Sequence, residues 1–107
     1  MNIGNSFFIT NLKMKIERKL EVYNPNLVTH LSKQIYDEYL IKLKIYNELL
    51  EFLETIDLTQ EKIEAFLLNK INLTNELIKN TKIEAEIKKN SFVVKEYKNL
   101  IKLVMDL

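Results

Sequence analysis

The sequence predicts an all-α protein, a single-domain antiparallel bundle of about four helices around a long central second helix. The 107-residue chain contains one glycine and one proline, the residues on which sheets and long loops depend for their turns. Apolar residues recur at three- and four-residue spacing through most of the chain, which is the period of a helix face. Hydrophobic residues make up 47% of the sequence, enough for one core. We therefore expect one domain over residues 1–107.

The first helix is predicted over residues 7–22, with Ser6 as its N-cap. Its apolar residues follow one another in steps of three or four: Phe8, Leu12, Ile16, Leu20 and Tyr23. Asn24 and Pro25 end this helix and begin the next, because the residue before proline avoids the α region and proline favours the first helical position. A connection this short makes the first two helices antiparallel neighbours.

The second helix is predicted over residues 25–56, and apolar side chains cover more than half of its circumference. A helix that packs against a single neighbour needs a narrower apolar face. We therefore expect other helices to surround this one on two or more sides. The apolar positions are Val28, Leu31, Ile35, Tyr36, Tyr39, Leu40, Leu43, Ile45, Tyr46, Leu49, Leu50, Phe52, Leu53 and Ile56.

The third helix is predicted over residues 59–80. Asp57 can cap its start, with Gln60 as the reciprocal partner in a variant of the capping box. Thr59 is a competing N-cap.

The fourth helix is predicted over residues 82–105, because the apolar phase slips at Asn80 and a capping-box sequence follows from Thr81 to Glu84. Two alternatives stay open. One is a single bent helix over 59–105, since no glycine or proline enforces a turn. The other is a further break at Asn90 and Ser91.

The residues offer little material for catalysis or for a bound metal or cofactor. The chain has one histidine, His30, and no cysteine. Helix-borne di-metal sites use Glu-x-x-His pairs, and none occurs. The single glycine, Gly4, leaves no glycine-rich phosphate loop or nucleophile elbow. We expect a protein that is not an enzyme, in which His30 is structural or faces solvent.

Charge and hydropathy set further limits on the function. The net charge is +1, which gives no global electrostatic case for nucleic acid or an anionic membrane. No apolar run is long enough to span a bilayer and no secretory signal is evident, so we expect a cytoplasmic protein with no membrane partner. An alternative is nucleic-acid binding by the lysine-rich flank of the fourth helix, although a solvated face explains that flank more simply: Lys82, Lys88, Lys89, Lys95, Lys98 and Lys102.

Binding to another protein has the most support in the sequence. Tyrosine is enriched at interfaces because it combines a large apolar area with a hydroxyl that tolerates water, although tyrosines can equally line a bundle with their hydroxyls at its rim. Acidic residues crowd the C-terminal end of the second helix, where the helix dipole disfavours anions. Lysines near the end of the fourth helix, or a basic partner, would compensate them. The candidate partner-binding residues are Tyr36, Tyr39, Tyr46, Glu48, Glu51 and Glu54.

We therefore predict a non-enzymatic module that occludes or sequesters a partner protein, as a chaperone, inhibitor or immunity protein does. A phage-encoded inhibitor of a host defence enzyme is one alternative. A homodimer, in which a second copy covers the surplus apolar surface, is another.

A resemblance to a known family lies within residues 46–79. The segments are Tyr46–Asp57 (YNELLEFLETID), Glu61–Lys70 (EKIEAFLLNK) and Glu76–Ile78 (ELI). Their helix-hairpin patterning resembles that of the small flagellar export chaperones, which are cytosolic helical bundles that bind the C-terminal helices of secreted axial proteins until export. The resemblance implies that the protein masks an apolar helix of a client, and it assigns no individual site residue.

Overall fold

The computed structural model describes residues 3–21 and 33–107. Four helices occupy these ranges: α1 (Ile3–Glu21), α2 (Lys33–Phe52), α3 (Gln60–Asn80) and α4 (Glu84–Met105). No strand occurs in either range, so the predicted all-α helical class is confirmed. The chain forms two compact units that meet in sequence at Leu58 and Thr59.

In the first unit, α1 packs against α2, as the sequence predicts for neighbouring helices. Leu12 and Ile16, one turn apart on α1, are fully buried. The helix begins before the predicted residue 7, so Ser6 lies inside it and is not its N-cap. Tyr23 and the predicted turn at Asn24 and Pro25 lie outside the described residues.

The end of α2 differs from its prediction by one turn. The helix ends at Phe52, whereas the apolar pattern extended it to residue 56. The amides of Glu54 and Thr55 donate to carbonyls three residues earlier, at 3.2 and 3.0 Å, which tightens the last turn. Asp57 then adopts a φ of 58°, a left-handed conformation that aspartate tolerates better than most residues. The predicted residues 25–32 of this helix lie outside the described ranges.

In the second unit, α3 and α4 form a helical hairpin. Four α3 residues and five α4 residues are buried: Ile63, Leu67, Ile71, Thr74, Val94, Glu96, Tyr97, Leu100 and Val104. The side-chain amide of Gln60 donates to the Val104 carbonyl at 3.5 Å, so the start of α3 lies beside the end of α4. The hairpin is therefore antiparallel.

The helix caps of this unit confirm one prediction and correct another. Thr59 is the N-cap of α3, because its hydroxyl accepts a hydrogen bond from the Lys62 amide at 3.2 Å. The predicted break near residue 81 is also confirmed. However, α4 begins at Glu84, so Thr81 lies too far before the helix to form the predicted capping box. Its hydroxyl instead accepts from the Ile83 amide at 3.2 Å and donates to Glu86 at 2.8 Å.

The open alternatives for residues 59–105 are also resolved. The three residues from Thr81 to Ile83 are not helical, so α3 and α4 are separate helices. The fourth helix continues without interruption through Asn90 and Ser91.

Candidate protein-binding surface

Two adjacent apolar stripes run along α2. The first contributes to the core and contains Tyr39, Tyr46 and Leu49, with Leu53 just beyond the helix end; all four are at most 7% exposed. The second lies beside it, with residues separated by steps of four, three, four and three: Tyr36, Leu40, Leu43, Asn47 and Leu50. We call these five residues the outer stripe. Steps of this kind keep side chains on one side of a helix.

The outer stripe is partly open to solvent. Tyr36 is 45% exposed and Leu40 is 44% exposed. Leu43 and Leu50 are half-buried, while Asn47 is exposed. The stripe therefore exposes apolar surface of Tyr36 and Leu40 at one end and part of Leu50 at the other. The side-chain amide of Asn47 lies between Leu43 and Leu50.

The three predicted partner-binding tyrosines divide between the two stripes. Tyr39 and Tyr46 are 7% and 4% exposed, so they line the core, which was the alternative for these residues. Tyr36 is the one that reaches solvent. Its ring centroid lies 6.1 Å from that of Tyr39, at an interplanar angle of 36°. The exposed ring of Tyr36 therefore lies beside the buried ring of Tyr39.

The three predicted glutamates are also not equivalent. Glu51 is exposed and lies next to the C-terminal end of the outer stripe, whereas Glu48 is half-buried. At about 100° per residue, Glu48 is roughly 120° around the helix from the centre of the outer stripe. The structure therefore brings Glu51, and not Glu48, to the same side as Tyr36.

Glu54 pairs with a residue of the first helix. Its carboxylate lies 2.8 Å from the Lys13 ammonium, and the two side chains are 73% and 30% exposed. Lys13 thus supplies part of the positive charge that the acidic end of α2 was predicted to need. Glu54 keeps most of its surface in water and is still accessible to a partner.

The outer stripe was not predicted as a separate surface, because the sequence places its apolar residues in one broad apolar face of the second helix. The signal that could have found the outer stripe is the polar Asn47. An amide in the middle of a regular four-three apolar spacing is costly in a core, and is better accommodated at a partly solvated surface.

Other exposed apolar side chains are scattered on both units. The largest exposed fractions in the first unit are those of Phe7 and Ile56, at 73% and 85%. In the second unit Leu73, Leu77 and Ile83 are exposed near the hairpin connection. Leu73 and Leu77 lie one turn apart on α3, but two residues form a shorter surface than the outer stripe, which is therefore the stronger candidate for a binding surface.

Among the described residues there is neither a candidate metal site nor a helix that could span a membrane. Within 3–21 and 33–107, no group of three histidine, cysteine or acidic side chains is placed to hold a metal ion. No helix in the same ranges combines the length and hydropathy needed to cross a bilayer. His30 lies outside the described residues. No family model, curated protein or solved structure matches the chain.

Proposed function

We propose that this protein is a non-enzymatic interaction module that binds an amphipathic helix of a partner protein along α2 and thereby occludes it. The observation that carries the proposal is the partly exposed outer stripe beside a fully formed core stripe. The core already contains Tyr39, Tyr46 and Leu49, so the outer residues are surplus to that packing. Cytoplasmic action is part of the proposal.

The spacing of the outer stripe suits a helical partner. Helix-binding surfaces engage anchors that recur at three- and four-residue intervals, because each intruding side chain fits between two turns. Tyr36 and Leu40 supply the exposed anchors at one end, and Leu50 supplies a half-buried one at the other. Asn47 can hydrogen-bond across the interface, which favours one alignment of the two helices over others.

The negative charges near the C-terminal end of α2 favour one orientation of the partner helix. Glu51 and Glu54 are exposed at the C-terminal end of α2, where the helix dipole makes local negative potential stronger. A partner helix with basic residues at the end that meets these glutamates would be favoured, since complementary charge at an interface rim chiefly sets specificity and association rate. The preferred partner is therefore an amphipathic helix with one basic end.

The resemblance to the flagellar export chaperones supports the same kind of activity, because those proteins mask apolar client helices. An inhibitor that covers the working surface of an enzyme would use the same physical means. The outer stripe fits a chaperone and an inhibitor equally well, because both would act by covering a helix of the partner.

Site-specific photocrosslinking tests this proposal. A photoreactive phenylalanine analogue at Tyr36 should crosslink one partner protein in stoichiometric amount, whereas the same analogue at Phe7, which is more exposed, should not. Leu40→Asp should abolish capture of that partner in a native pulldown. Leu68→Asp is the matched control, because Leu68 is also exposed but lies on α3.

Three results would count against the proposal. Equal crosslinking from both positions would show non-specific contact. Recovery of RNA or DNA without protein would show that the binding class is wrong. A crosslink only to a second copy of the chain, with a dimer mass in light scattering, would identify the outer stripe as a homodimer interface instead.

A further inference from the structure

The outward side of α4 carries a row of lysines. Lys88, Lys95, Lys98 and Lys102 are all exposed and follow one another at steps of seven, three and four, so they project from one side of the helix. We call these four residues the lysine face. The exposed residues between them on the same side, Ser91 and Asn99, are polar as well.

No exposed acidic side chain lies between the lysines of this face, although exposed Glu84 and Asp106 lie one turn before Lys88 and one turn after Lys102. Between Lys88 and Lys102 the single acidic residue is Glu96, which is only 6% exposed. At about 100° per residue it lies roughly 120° around the helix from the middle of the face. Within the part of the chain that the structure describes, none of the four lysines forms an ion pair.

Two lysines elsewhere in the structure lie close to acidic side chains. Lys13 pairs with Glu54 at 2.8 Å, and Lys79 lies 3.8 Å from Glu76. On the lysine face, by contrast, Lys95 and Lys102 both have Lys98 as a neighbour one turn away, and like charges at this spacing weaken a helix. The arrangement costs some helix stability, which a bound anion would offset.

We infer that the lysine face binds the phosphate backbone of double-stranded nucleic acid without preference for base sequence. Backbone binding requires cations and hydrogen-bond donors and little else. The four lysines supply the cations, while Ser91 and Asn99 supply neutral donors. This is a second site, on a different unit from the outer stripe, and it does not depend on the proposed function.

The composition of the face argues against other anionic partners. A protein interface has a desolvated core that is depleted of charged residues, and a membrane-surface helix buries an apolar face. Neither feature is present among the outward residues from Lys88 to Lys102. The face also has no arginine for bidentate recognition of guanine and no exposed aromatic ring for stacking unpaired bases. Duplex nucleic acid read through its backbone is the ligand that fits.

The dimensions of the face set the expected strength of binding. Lys88 and Lys102 are separated by about 21 Å along the helix at 1.5 Å per residue. A duplex carries one charge for about every 1.7 Å of its axis, so each lysine can meet a different phosphate. Four such contacts predict a salt dependence of about −3.6 in log K against log salt, and an affinity in the micromolar range or weaker.

The test is fluorescence anisotropy with a labelled 20-base-pair DNA duplex and the full chain. We expect affinity to fall about 150-fold between 50 and 200 mM NaCl, as four phosphate contacts require. The variant K88Q/K95Q/K98Q/K102Q should lose at least about tenfold in affinity at 50 mM NaCl, with a shallower salt slope. The matched control K15Q/K19Q/K33Q/K44Q removes four other exposed lysines and changes the net charge equally, and its affinity should stay within about threefold of the wild type.

Circular dichroism establishes that both variants are folded. If the first is not, K95Q/K102Q replaces it and should reduce the salt slope by about half. The inference is overturned if the wild type binds no duplex at 50 mM NaCl, or if the two quadruple variants lose affinity equally. It is also overturned if polyglutamate or single-stranded DNA of equal charge binds at least as tightly as the duplex.

Discussion

The Lys13 ammonium donates a hydrogen bond to the Glu54 carboxylate over 2.8 Å, although 41 residues separate the two in sequence. This contact links α1 to the turn that follows α2. It also places a positive charge beside the acidic end of α2. Its exposure implies that its energetic contribution is small.

Lys13→Gln and Glu54→Gln should each lower the free energy of unfolding by less than about 1 kcal/mol, because the Glu54 side chain is largely in water. A double-mutant cycle in urea should give a coupling free energy of about 0.2–1 kcal/mol that shrinks as salt is added. Glu51→Gln is the control, since Glu51 is also exposed near the end of α2. A coupling well above 1 kcal/mol that is insensitive to salt would contradict the prediction.

The two stripes of α2 should respond differently to truncation. Leu49 is fully buried and Leu40 is 44% exposed. Leu49→Ala should therefore lower the free energy of unfolding by about 2–5 kcal/mol, through lost burial and a residual cavity. Leu40→Ala should cost less than about 1 kcal/mol, because much of its side chain is already in water. Chemical unfolding measures both, and equal losses would show that Leu40 belongs to the core.

Helix existence and type were predictable from this sequence because its apolar spacing is regular and turn-forming residues are almost absent. The four helices and the break after Asn80 follow from that pattern. The exact ends depend on local competition that the pattern does not contain. After Phe52 the amides of Glu54 and Thr55 form tighter three-residue hydrogen bonds and Asp57 turns left-handed, although the apolar spacing continues to Ile56.

The binding surface was predictable only in part. Tyr36, Tyr39 and Tyr46 share one helix and one residue type, so sequence alone could not separate the exposed ring from the two buried ones. Which side of a broad apolar helix is covered depends on the neighbouring helices. Periodicity gives the angular position of a residue on its own helix, and it contains no information on what packs against that position.

Thr59 should be important for the start of α3. Thr59→Ala removes the hydroxyl that accepts from the Lys62 amide at 3.2 Å, and should lower the free energy of unfolding by about 1 kcal/mol. Thr59→Ser keeps the acceptor and should cost only a few tenths of a kcal/mol. Thr55→Ala is the control, because Thr55 is exposed in the preceding turn and caps no helix. A Thr59→Ala cost no larger than that of Thr55→Ala would show that the cap contributes nothing.

The conformation of Asp57 provides the last test. At a φ of 58°, a residue with a β-carbon is strained by about 1–2 kcal/mol, and glycine is not. Asp57→Ala should therefore lower the free energy of unfolding, whereas Asp57→Gly should leave it unchanged to within about 0.5 kcal/mol. Both substitutions remove the carboxylate of Asp57, so the difference between alanine and glycine isolates the backbone effect. If alanine is as stable as glycine in urea unfolding, the left-handed conformation of Asp57 carries no strain and the prediction is wrong.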